Sequence, residues 1–369
     1  MSWWKTALKL KRDISMRKFA VFSGFLGSGK TSTMMALTKY YTAAHGKAAM
    51  ISNDLGGKGL ADHRLARLQG CNASEITDEC ICFCHDVLRN QLELFYADGV
   101  ELVVSDIPGF GVGALEHVYH GMEHDYPAAF EFAPFTVLTE PGTVQILSSG
   151  REDDMASILQ AQLQEADLIV LNKCDLLSED EKNRELRMLG DMFPHAEVIG
   201  ISARTGDGLE ELSRKLTEGK ASMHHPDIDY EDKDLQHAMG MLSEYYIQYH
   251  AQVCCDDFDG TAYLEALAAE IQQSIRAGGY EIPHLKLLAW SPEGDYGKVD
   301  LLGADRAIEI SHRFSQPCVD LAVTLNTTAA CPPEELDAMI LSAIESVSTK
   351  YRLELLIFKK ECIGLGEEE

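Results

Sequence analysis

Three cysteines occupy alternate positions of the sequence, Cys80, Cys82 and Cys84, and His85 follows them directly. Thiolates and imidazoles bind zinc and related transition metals, so this spacing points first to metal chemistry. A tetrahedral zinc site needs sulfur atoms about 4 Å apart. In an extended strand, Cys80 and Cys84 would instead lie roughly 13 Å apart. We therefore expect Cys80 and Cys82 to be the better ligands, with Cys84 joining them only if the chain bends at Phe83 and a helix begins nearby.

These thiols have two further possible roles besides metal binding. They could be redox-active or bridge a dimer, or they could be structural cysteines packed in the core, where cysteine is common. We favour metal binding, with His85 or Asp78 as a further ligand. Two weaker groups are better attributed to core packing or a surface loop, namely His250 with Cys254 and Cys255, and His224 with His225.

A candidate phosphate-binding loop lies upstream of the cysteines. It reads GFLGSGKT from Gly24 to Thr31 and joins a short apolar run to a segment suited to a helix. Glycines let backbone N–H groups approach phosphate oxygens, and the start of the helix adds a favourable dipole. Lys30 would reach the outer phosphates, and the Thr31 hydroxyl would bind Mg²⁺. The predicted nucleotide-contacting residues here are Gly24, Gly27, Ser28, Gly29, Lys30, Thr31 and Thr33.

A candidate base-recognition motif lies downstream, after the apolar run 168–171. Asp175 would accept the two hydrogen-bond donors of guanine, and Lys173 would pack over the purine ring. Adenine lacks that donor pair, so the motif favours GTP over ATP and argues against a kinase. The predicted base-site residues are Asn172, Lys173, Asp175, Ser202 and Ala203.

A second phosphate element, Asp106-Ile107-Pro108-Gly109, follows a strand-like run. Asp106 is predicted to hold Mg²⁺ directly or through water, and the Gly109 N–H to meet the terminal phosphate. Phe110 stands where many GTPases carry a water-orienting glutamine, so turnover above about 1 per second without a partner or metal would contradict our expectation of slow hydrolysis. Asp54 could assist if its loop closes. The predicted catalytic residues are Lys30, Thr31, Asp54 and Asp106.

The motifs must be positioned by alternating strands and helices. Each motif follows an apolar run, and this alternation predicts an α/β domain of the P-loop NTPase type, a parallel sheet with helices on both faces. After a change of pattern, helices at 235–249, 262–276 and 332–349 and strands at 284–290, 298–302, 308–314, 318–325 and 353–359 predict a smaller α+β domain. The expected organisation is a basic tail 1–17, a nucleotide domain 18–222, an acidic linker 223–234 and a C-terminal domain 235–369.

Composition limits the partners. The 369 residues suggest two domains, and the formal charge of −27 argues against nucleic acid as the main partner. No apolar run approaches the roughly 20 residues of a membrane span. No secretory signal is recognised, so the ten cysteines are expected to be reduced and the protein cytoplasmic. Isolated thiols, at Cys174, Cys318 and Cys362, are expected to be small buried apolar groups.

Over residues 18–216 the sequence resembles the family of P-loop GTPases that includes the cobalamin-synthesis-associated (CobW-like) proteins and the maturation GTPases of hydrogenase and urease. The phosphate, base and Asp106 motifs carry the resemblance, and the stretch from Ser52 to Gly56 looks like the family's first switch. The CobW-like branch has a Cys-x-Cys-Cys motif preceded by glycine. Here Glu79 replaces that glycine and Phe83 stands at the third ligand position. Asp106 and Pro108 also depart from the usual second switch.

The resemblance implies a GTP-binding, slowly GTP-hydrolysing metallochaperone or metallocofactor-maturation protein. Its cofactors would be GTP/GDP and Mg²⁺, with Zn²⁺, Co²⁺ or Ni²⁺ at the cysteines. Its partner would be a client metalloenzyme or another cofactor-dependent protein. The resemblance leaves open whether the protein forms a homodimer. The alternative is a regulatory GTPase that assists a corrinoid or other cofactor-dependent enzyme without carrying metal.

Overall fold

A computed structural model describes residues 17–54, 61–77, 79–148, 154–253 and 257–364, without the side chains of residues 54, 61, 62, 154 and 155. The described chain divides into two compact units, one ending at Tyr230 and the other beginning at Glu231. Apart from Arg17, the predicted basic tail lies outside the described residues. Asp78, Cys254 and Cys255 also lie outside them.

The first unit is built on an eight-stranded sheet in which every pairing is parallel. The strand order is β3-β2-β4-β1-β6-β7-β8, and the two-residue β5 pairs with β1. Its strands are β1 (Lys18–Ser23), β2 (Ala48–Asp54), β3 (Ala73–Thr77), β4 (Leu102–Asp106), β5 (Glu131–Phe132), β6 (Thr136–Thr139), β7 (Leu168–Leu171) and β8 (Glu197–Gly200).

Helices cover this sheet. Every residue of β1, β4, β6 and β7 is buried, as expected for parallel strands covered on both faces. The helices are α1 (Lys30–Ala44), α2 (Ala61–Leu68), α3 (His85–Ala97), α4 (Gly121–Asp125), α5 (Thr143–Ser148), α6 (Asp154–Gln164), α7 (Glu179–Met192) and α8 (Leu209–Glu218), with a π-helix at Leu115–His120. The predicted α/β fold class is confirmed.

The second unit is a six-stranded antiparallel sheet in the order β12-β11-β10-β13-β9-β14. Apolar residues of its two long helices, α10 and α11, share one core cluster with the sheet, so the unit is an α+β domain as expected. Its elements are α9 (Lys233–Gly240), β9 (Ser243–Val253), α10 (Gly260–Gly278), β10 (Glu281–Trp290), β11 (Tyr296–Leu301), β12 (Glu309–His312), β13 (Asp320–Ala330), α11 (Pro333–Tyr351) and β14 (Leu353–Gly364).

One helix prediction is wrong in part. The sequence was expected to be helical over 235–249, but the helix ends at Gly240 and β9 begins at Ser243. Tyr245, Ile247 and Tyr249 are buried at alternate positions, which is the period of a strand. The apolar residues of this stretch therefore face the core of a sheet.

The boundary between the units lies near the predicted linker. Residues 221–230 lie against the first unit, since the Ala221 N–H donates to the Phe132 carbonyl and the Tyr230 hydroxyl donates to Glu165. The predicted boundaries at 222 and 235 stay predictions. No helix within the described residues is long and apolar enough to cross a membrane.

Candidate functional site

The sequence motifs meet at one edge of the parallel sheet. Strands β1, β2, β4, β7 and β8 all end there, and each ends in, or leads into, residues that the sequence predicts to be functional. In a parallel α/β sheet the carboxyl ends of the strands share one edge, where ligands usually bind.

The phosphate loop is closely packed at two glycines. Gly24 has φ +130°, and a Cβ there would lie 2.2 Å from the Leu138 carbonyl oxygen. Gly29 has φ +90°, and its Cβ would lie 2.4 Å from Nδ2 of Asn172. Gly27 also has a positive φ, of 83°. The backbone therefore turns tightly between β1 and α1, with no room for side chains at Gly24 and Gly29.

Lys30 lies between the phosphate loop and the loop that follows β4. Its Nζ donates to the Gly24 carbonyl at 2.6 Å, and a Cβ on Gly109 would lie 3.0 Å from the same Nζ. Thr31 occupies the second position of α1 and is half-buried. Among the described residues, the buried hydroxyls of Ser28 and Thr33 have no hydrogen-bond partner. Unpartnered hydroxyls in such a cradle fit a polar ligand such as a nucleotide phosphate.

Asp106 connects the end of β4 to β2. Its side chain is only 7% exposed, and its Oδ1 accepts the backbone N–H of Asn53 at 2.9 Å. A buried carboxylate beside the phosphate loop suits a divalent cation. Asp54, the next residue of β2, was predicted to assist catalysis, but its side chain lies outside the described residues.

Asn53 links Asp106 to the cysteine turn, which we define as residues 79–84. Its Nδ2 donates to the carbonyls of Ile76 at 3.2 Å and Glu79 at 2.9 Å. Its Oδ1 accepts the Ile81 N–H at 3.0 Å. The Asn53 side chain is buried, so these bonds are shielded from water. One residue therefore contacts both the predicted magnesium ligand and the backbone that carries the thiols.

The cysteine turn bends and leads directly into a helix. The Phe83 N–H donates to the Cys80 carbonyl at 2.9 Å, and α3 begins at His85. The Sγ atoms of Cys80 and Cys82 lie 2.9 Å apart, whereas the Cys84 thiol donates to the Cys80 carbonyl at 3.3 Å and is buried. The structure thus pairs Cys80 with Cys82 and directs Cys84 elsewhere, although the bend anticipated at Phe83 is present.

The hydrogen bond between the two thiols shifts the pKa of each in opposite directions. The Cys82 thiol hydrogen-bonds to Cys80 and lowers the pKa of Cys80, while the same bond and burial raise the pKa of Cys82. Weaker effects from two carboxylates, Asp106 on Cys80 and Glu165 on Cys82, oppose thiolate formation. Burial raises the pKa of Cys84 to about 11, so Cys84 stays a thiol at neutral pH. A thiolate at Cys80 is the form that binds metal.

Two buried polar residues hold the switch loop, which we define as residues 106–113. Nε2 of Gln162 donates to the carbonyls of Gly109 at 3.2 Å and Gly111 at 2.9 Å. Backbone N–H groups from Gly113 to Leu115 interact with Glu165, whose pKa burial nevertheless raises to about 8. Phe110 lies between Gly109 and Gly111, whose carbonyls Gln162 binds, and it is 7% exposed. Its side chain therefore belongs to the interior.

The predicted base-site residues form one network. Asn172 Nδ2 donates to the Ser28 carbonyl at 2.9 Å, and its Oδ1 accepts the Ala203 N–H at 3.1 Å. Oδ1 of Asp175 accepts the Ser202 hydroxyl at 2.7 Å. The phosphate loop, the motif after β7 and the loop after β8 are therefore joined through Asn172. Lys173, with φ 60°, pairs instead with Glu140 at 2.5 Å.

Asn53, Gln162 and Glu165 lie in stretches that resemble family motifs, 52–56 and 162–175, but no individual role was predicted for them. Asn53 lies within the stretch that resembles a first switch, but its links to residues 76–81 depend on the pairing of β2 with β3. One feature of the sequence could have pointed to Gln162 and Glu165 as buried polar residues. They are polar residues three positions apart near the end of a helix whose apolar residues face the core.

Residues 18–200 match the family model described as the CobW/HypB/UreG nucleotide-binding domain. This domain belongs to the CobW/HypB/UreG family. The family resemblance drawn from the motifs is thus confirmed. Residues 18–200 are a GTP-binding domain of the P-loop GTPase type.

Similarity to curated proteins covers smaller parts of the chain. GTPase Obg 2 of Anaplasma marginale (strain Florida) is 30% identical over 166 residues, which are 44% of this chain and 48% of that protein. GTPase Era of Geobacter sp. (strain M21) is 42% identical over 45 residues, which are 12% of this chain and 15% of Era. The chain thus spans about half the length, or less, of these curated relatives.

Solved structures that resemble parts of this chain include two metal-bound proteins. HypB from Helicobacter pylori in complex with nickel has 16% identity and a TM-score of 0.41, over 60% of this chain and 96% of that one. Zn(II)-bound YjiA GTPase from E. coli has 14% identity and a TM-score of 0.37, over 88% of this chain and 98% of that one.

Proposed function

We propose that this protein hydrolyses GTP to control a metal ion held at the cysteine turn, as a metallochaperone or metallocofactor-maturation protein. The observation that carries this proposal is the hydrogen-bond path from Asp106 through Asn53 to the turn. Loss of the terminal phosphate would alter the surroundings of Asp106. The path would pass that change to the backbone next to Cys80.

GTP would be bound by the residues predicted from the sequence. The backbone of the phosphate loop and Lys30 would hold the phosphates, and Asp175 would hold guanine once the Ser202 hydroxyl turns away from it. Thr31 and Asp106 would hold Mg²⁺, which supplies positive charge against the outer phosphates. The Gly109 N–H would approach the terminal phosphate, since Gly109 lies against Lys30.

Hydrolysis is proposed to be slow in the isolated protein. Phe110 is buried and carries no group that could orient water. A client, a second copy of the chain or the metal itself would complete the catalytic arrangement. Within this chain, Asp54 remains the residue proposed to assist hydrolysis.

The metal would be bound first by Cys80 and Cys82. Their sulfur atoms are close, and the hydrogen bond between them lowers the pKa of Cys80. Cysteine binds metal as the thiolate, so metal uptake by both residues should release the thiol protons. Cys84 is proposed to join only after its bond to the Cys80 carbonyl breaks. The proposed cargo is Zn²⁺, Co²⁺ or Ni²⁺, the client a metalloenzyme or other cofactor-dependent protein, and the location the cytoplasm, where thiols stay reduced.

A metal titration tests the coupling. Zn²⁺ would be titrated into wild type and Cys82→Ser, each with GDP or with a non-hydrolysable GTP analogue. We expect wild type to show different zinc affinities in the two nucleotide states and Cys82→Ser to lose the tighter binding. Cys362→Ser, a partly buried thiol in the other unit, is the matched control and should behave like wild type. Equal stoichiometry and affinity in all four primary samples would exclude the metal switch.

Asn53→Ala tests the path itself. It removes the side-chain bonds to the cysteine turn while leaving the thiols in place. We expect Asn53→Ala to bind zinc with the same affinity in both nucleotide states, whereas the exposed-residue control Asn90→Ala keeps the wild-type difference. A full nucleotide effect in a folded Asn53→Ala protein would show that the coupling runs elsewhere. Nucleotide-dependent client binding without any zinc binding would favour the regulatory GTPase instead.

A further inference from the structure

A cluster of metal-binding side chains lies outside the cysteine turn, on the first unit. Glu116 and His120 come from the π-helix that follows the switch loop, and His225 comes from the segment after α8. One possible ligand atom from each residue lies within 4.8 Å of the others. We propose that Glu116, His120 and His225 form a second transition-metal site, which takes a divalent ion such as Zn²⁺, Co²⁺ or Ni²⁺.

The separations suit one ion. Oε2 of Glu116 lies 3.1 Å from Nδ1 of His225 and 3.8 Å from Nε2 of His120. Nitrogen and oxygen ligands bind zinc at about 2.0–2.2 Å, which places tetrahedral ligand atoms about 3.4 Å apart. The two measured separations bracket that value, and all three ligand atoms lie within 4.8 Å of one another, so side-chain rotations would bring them around one ion. The two imidazole rings are stacked, 4.4 Å between centroids, and one nitrogen of each lies near the Glu116 carboxylate.

The backbone holds the three residues in place before any ion binds. The Gly121 N–H bonds the Glu116 carbonyl, the five-residue hydrogen bond of a π-helix, a rare element that often marks functional sites. The segment that carries His225 is fixed before and after it, by the bond of the Ser222 hydroxyl to Asp167 and that of Tyr230 to Glu165. Folding therefore already fixes the backbone that carries the three ligands, so metal binding does not have to order it.

The ligand set decides the chemistry. Two imidazoles and one carboxylate resemble sites that leave a zinc position open for water or another ligand. Imidazole favours zinc, nickel and related ions over Mg²⁺ and Ca²⁺. Nε2 of His120 now lies 3.2 Å from the His224 carbonyl, and coordination would replace that hydrogen bond.

Stability does not account for the cluster. The Glu116 and His225 side chains are 44% and 74% exposed, and ion pairs at such positions contribute little. A bound ion, by contrast, would join the 221–230 segment to the helix directly after the switch loop. The second site would share no ligand with the thiol site, and the π-helix that carries it begins just after the switch loop.

The test uses the full chain with Cys80→Ser and Cys82→Ser, so that the thiol site cannot contribute. Co²⁺ is titrated and followed by its visible d–d absorption, and Zn²⁺ is titrated by calorimetry. We expect one equivalent of cobalt, without a thiolate-to-cobalt charge-transfer band. Adding His225→Gln should weaken the binding by at least about tenfold. Because His225 is exposed, its variant should melt at the temperature of the parent.

The matched control is His124→Gln, an exposed histidine paired with Asp125 and outside the cluster. It should leave cobalt and zinc binding unchanged. Absence of cobalt binding in the serine background would overturn the proposal, and so would an equal loss in the His124 and His225 variants. Neither result bears on the thiol switch, since both are measured without Cys80 and Cys82.

Discussion

Glu165 is a carboxylic acid removed from solvent beside the loop that follows Asp106, with an exposure of 0%. Burial raises its pKa to about 8, from 4.5 for an ordinary glutamate. The folded protein therefore keeps a proton on Glu165 over a pH range in which the unfolded chain has lost it. The stability that this protonated form contributes is fully present below about pH 4.5 and is lost as the pH rises through 8.

We expect Glu165→Gln, which mimics the protonated form, to remove this loss. Wild type should lose up to about 1.4 kcal/mol of unfolding free energy per pH unit, relative to the variant, between pH 5 and 8. Urea unfolding of both proteins across that range measures the difference. The exposed control Glu210→Gln, in α8, should give a pH dependence parallel to wild type. Parallel curves for Glu165→Gln as well would show that Glu165 titrates normally.

The roles of single residues were only partly predictable. Motifs of glycine, lysine and aspartate indicate their function directly, because phosphate and guanine recognition need those residue types at those spacings. Asn53 and Gln162 do not, because an amide can bond almost any backbone group. Their partners, residues 76–81 and 109–111, are distant in sequence and come close only when the sheet assembles.

At the scale of elements, the phosphate loop offers a sharp test. Gly24→Ala would force a Cβ to within 2.2 Å of the Leu138 carbonyl, so the loop must move away from β6. We expect GDP affinity to fall by at least about tenfold, since the backbone N–H groups lose their arrangement around the phosphates. Isothermal titration with GDP measures the change.

Gly142→Ala is the matched control for that test. Gly142 also has a positive φ, +92°, but a Cβ there meets nothing within 4 Å. It should cost about 1–2 kcal/mol of stability through backbone strain and leave GDP affinity unchanged. If both variants lose GDP binding equally, backbone strain rather than the clash with β6 is responsible.

The elements also show where periodicity fails. The segment 235–249 carries apolar residues at spacings compatible with either a helix or a strand, and the sheet of the second unit decides that its latter part is β9. The cysteine turn is a similar case. Alternating cysteines are compatible with a strand, but the start of α3 bends the chain and separates Cys84 from the other two thiols.

For the whole molecule, the proposed nucleotide and metal residues all lie in the first unit. We therefore expect a fragment of residues 1–230 to bind GDP with an affinity within about threefold of the full chain. Fluorescent GDP titration of the two proteins, with Asp175→Asn in both as a control for base recognition, measures this. A folded fragment that binds GDP more than about tenfold more weakly would show that the second unit takes part in nucleotide binding.

The sequence by itself determined the fold class, the nucleotide motifs and their order, because a parallel sheet brings every strand end to one edge and the spacing of apolar runs reveals the strands. Tertiary structure alone decided that Cys84 stays apart from the other two thiols despite the bend, that Asn53 connects the cysteine turn to Asp106, and that Glu116, His120 and His225 meet. The contacts of Asn53 and His225 join segments that are far apart in the chain, whereas the arrangement of the cysteines depends on where α3 begins. Their formation depends on sheet register and helix placement, which local sequence patterns do not encode.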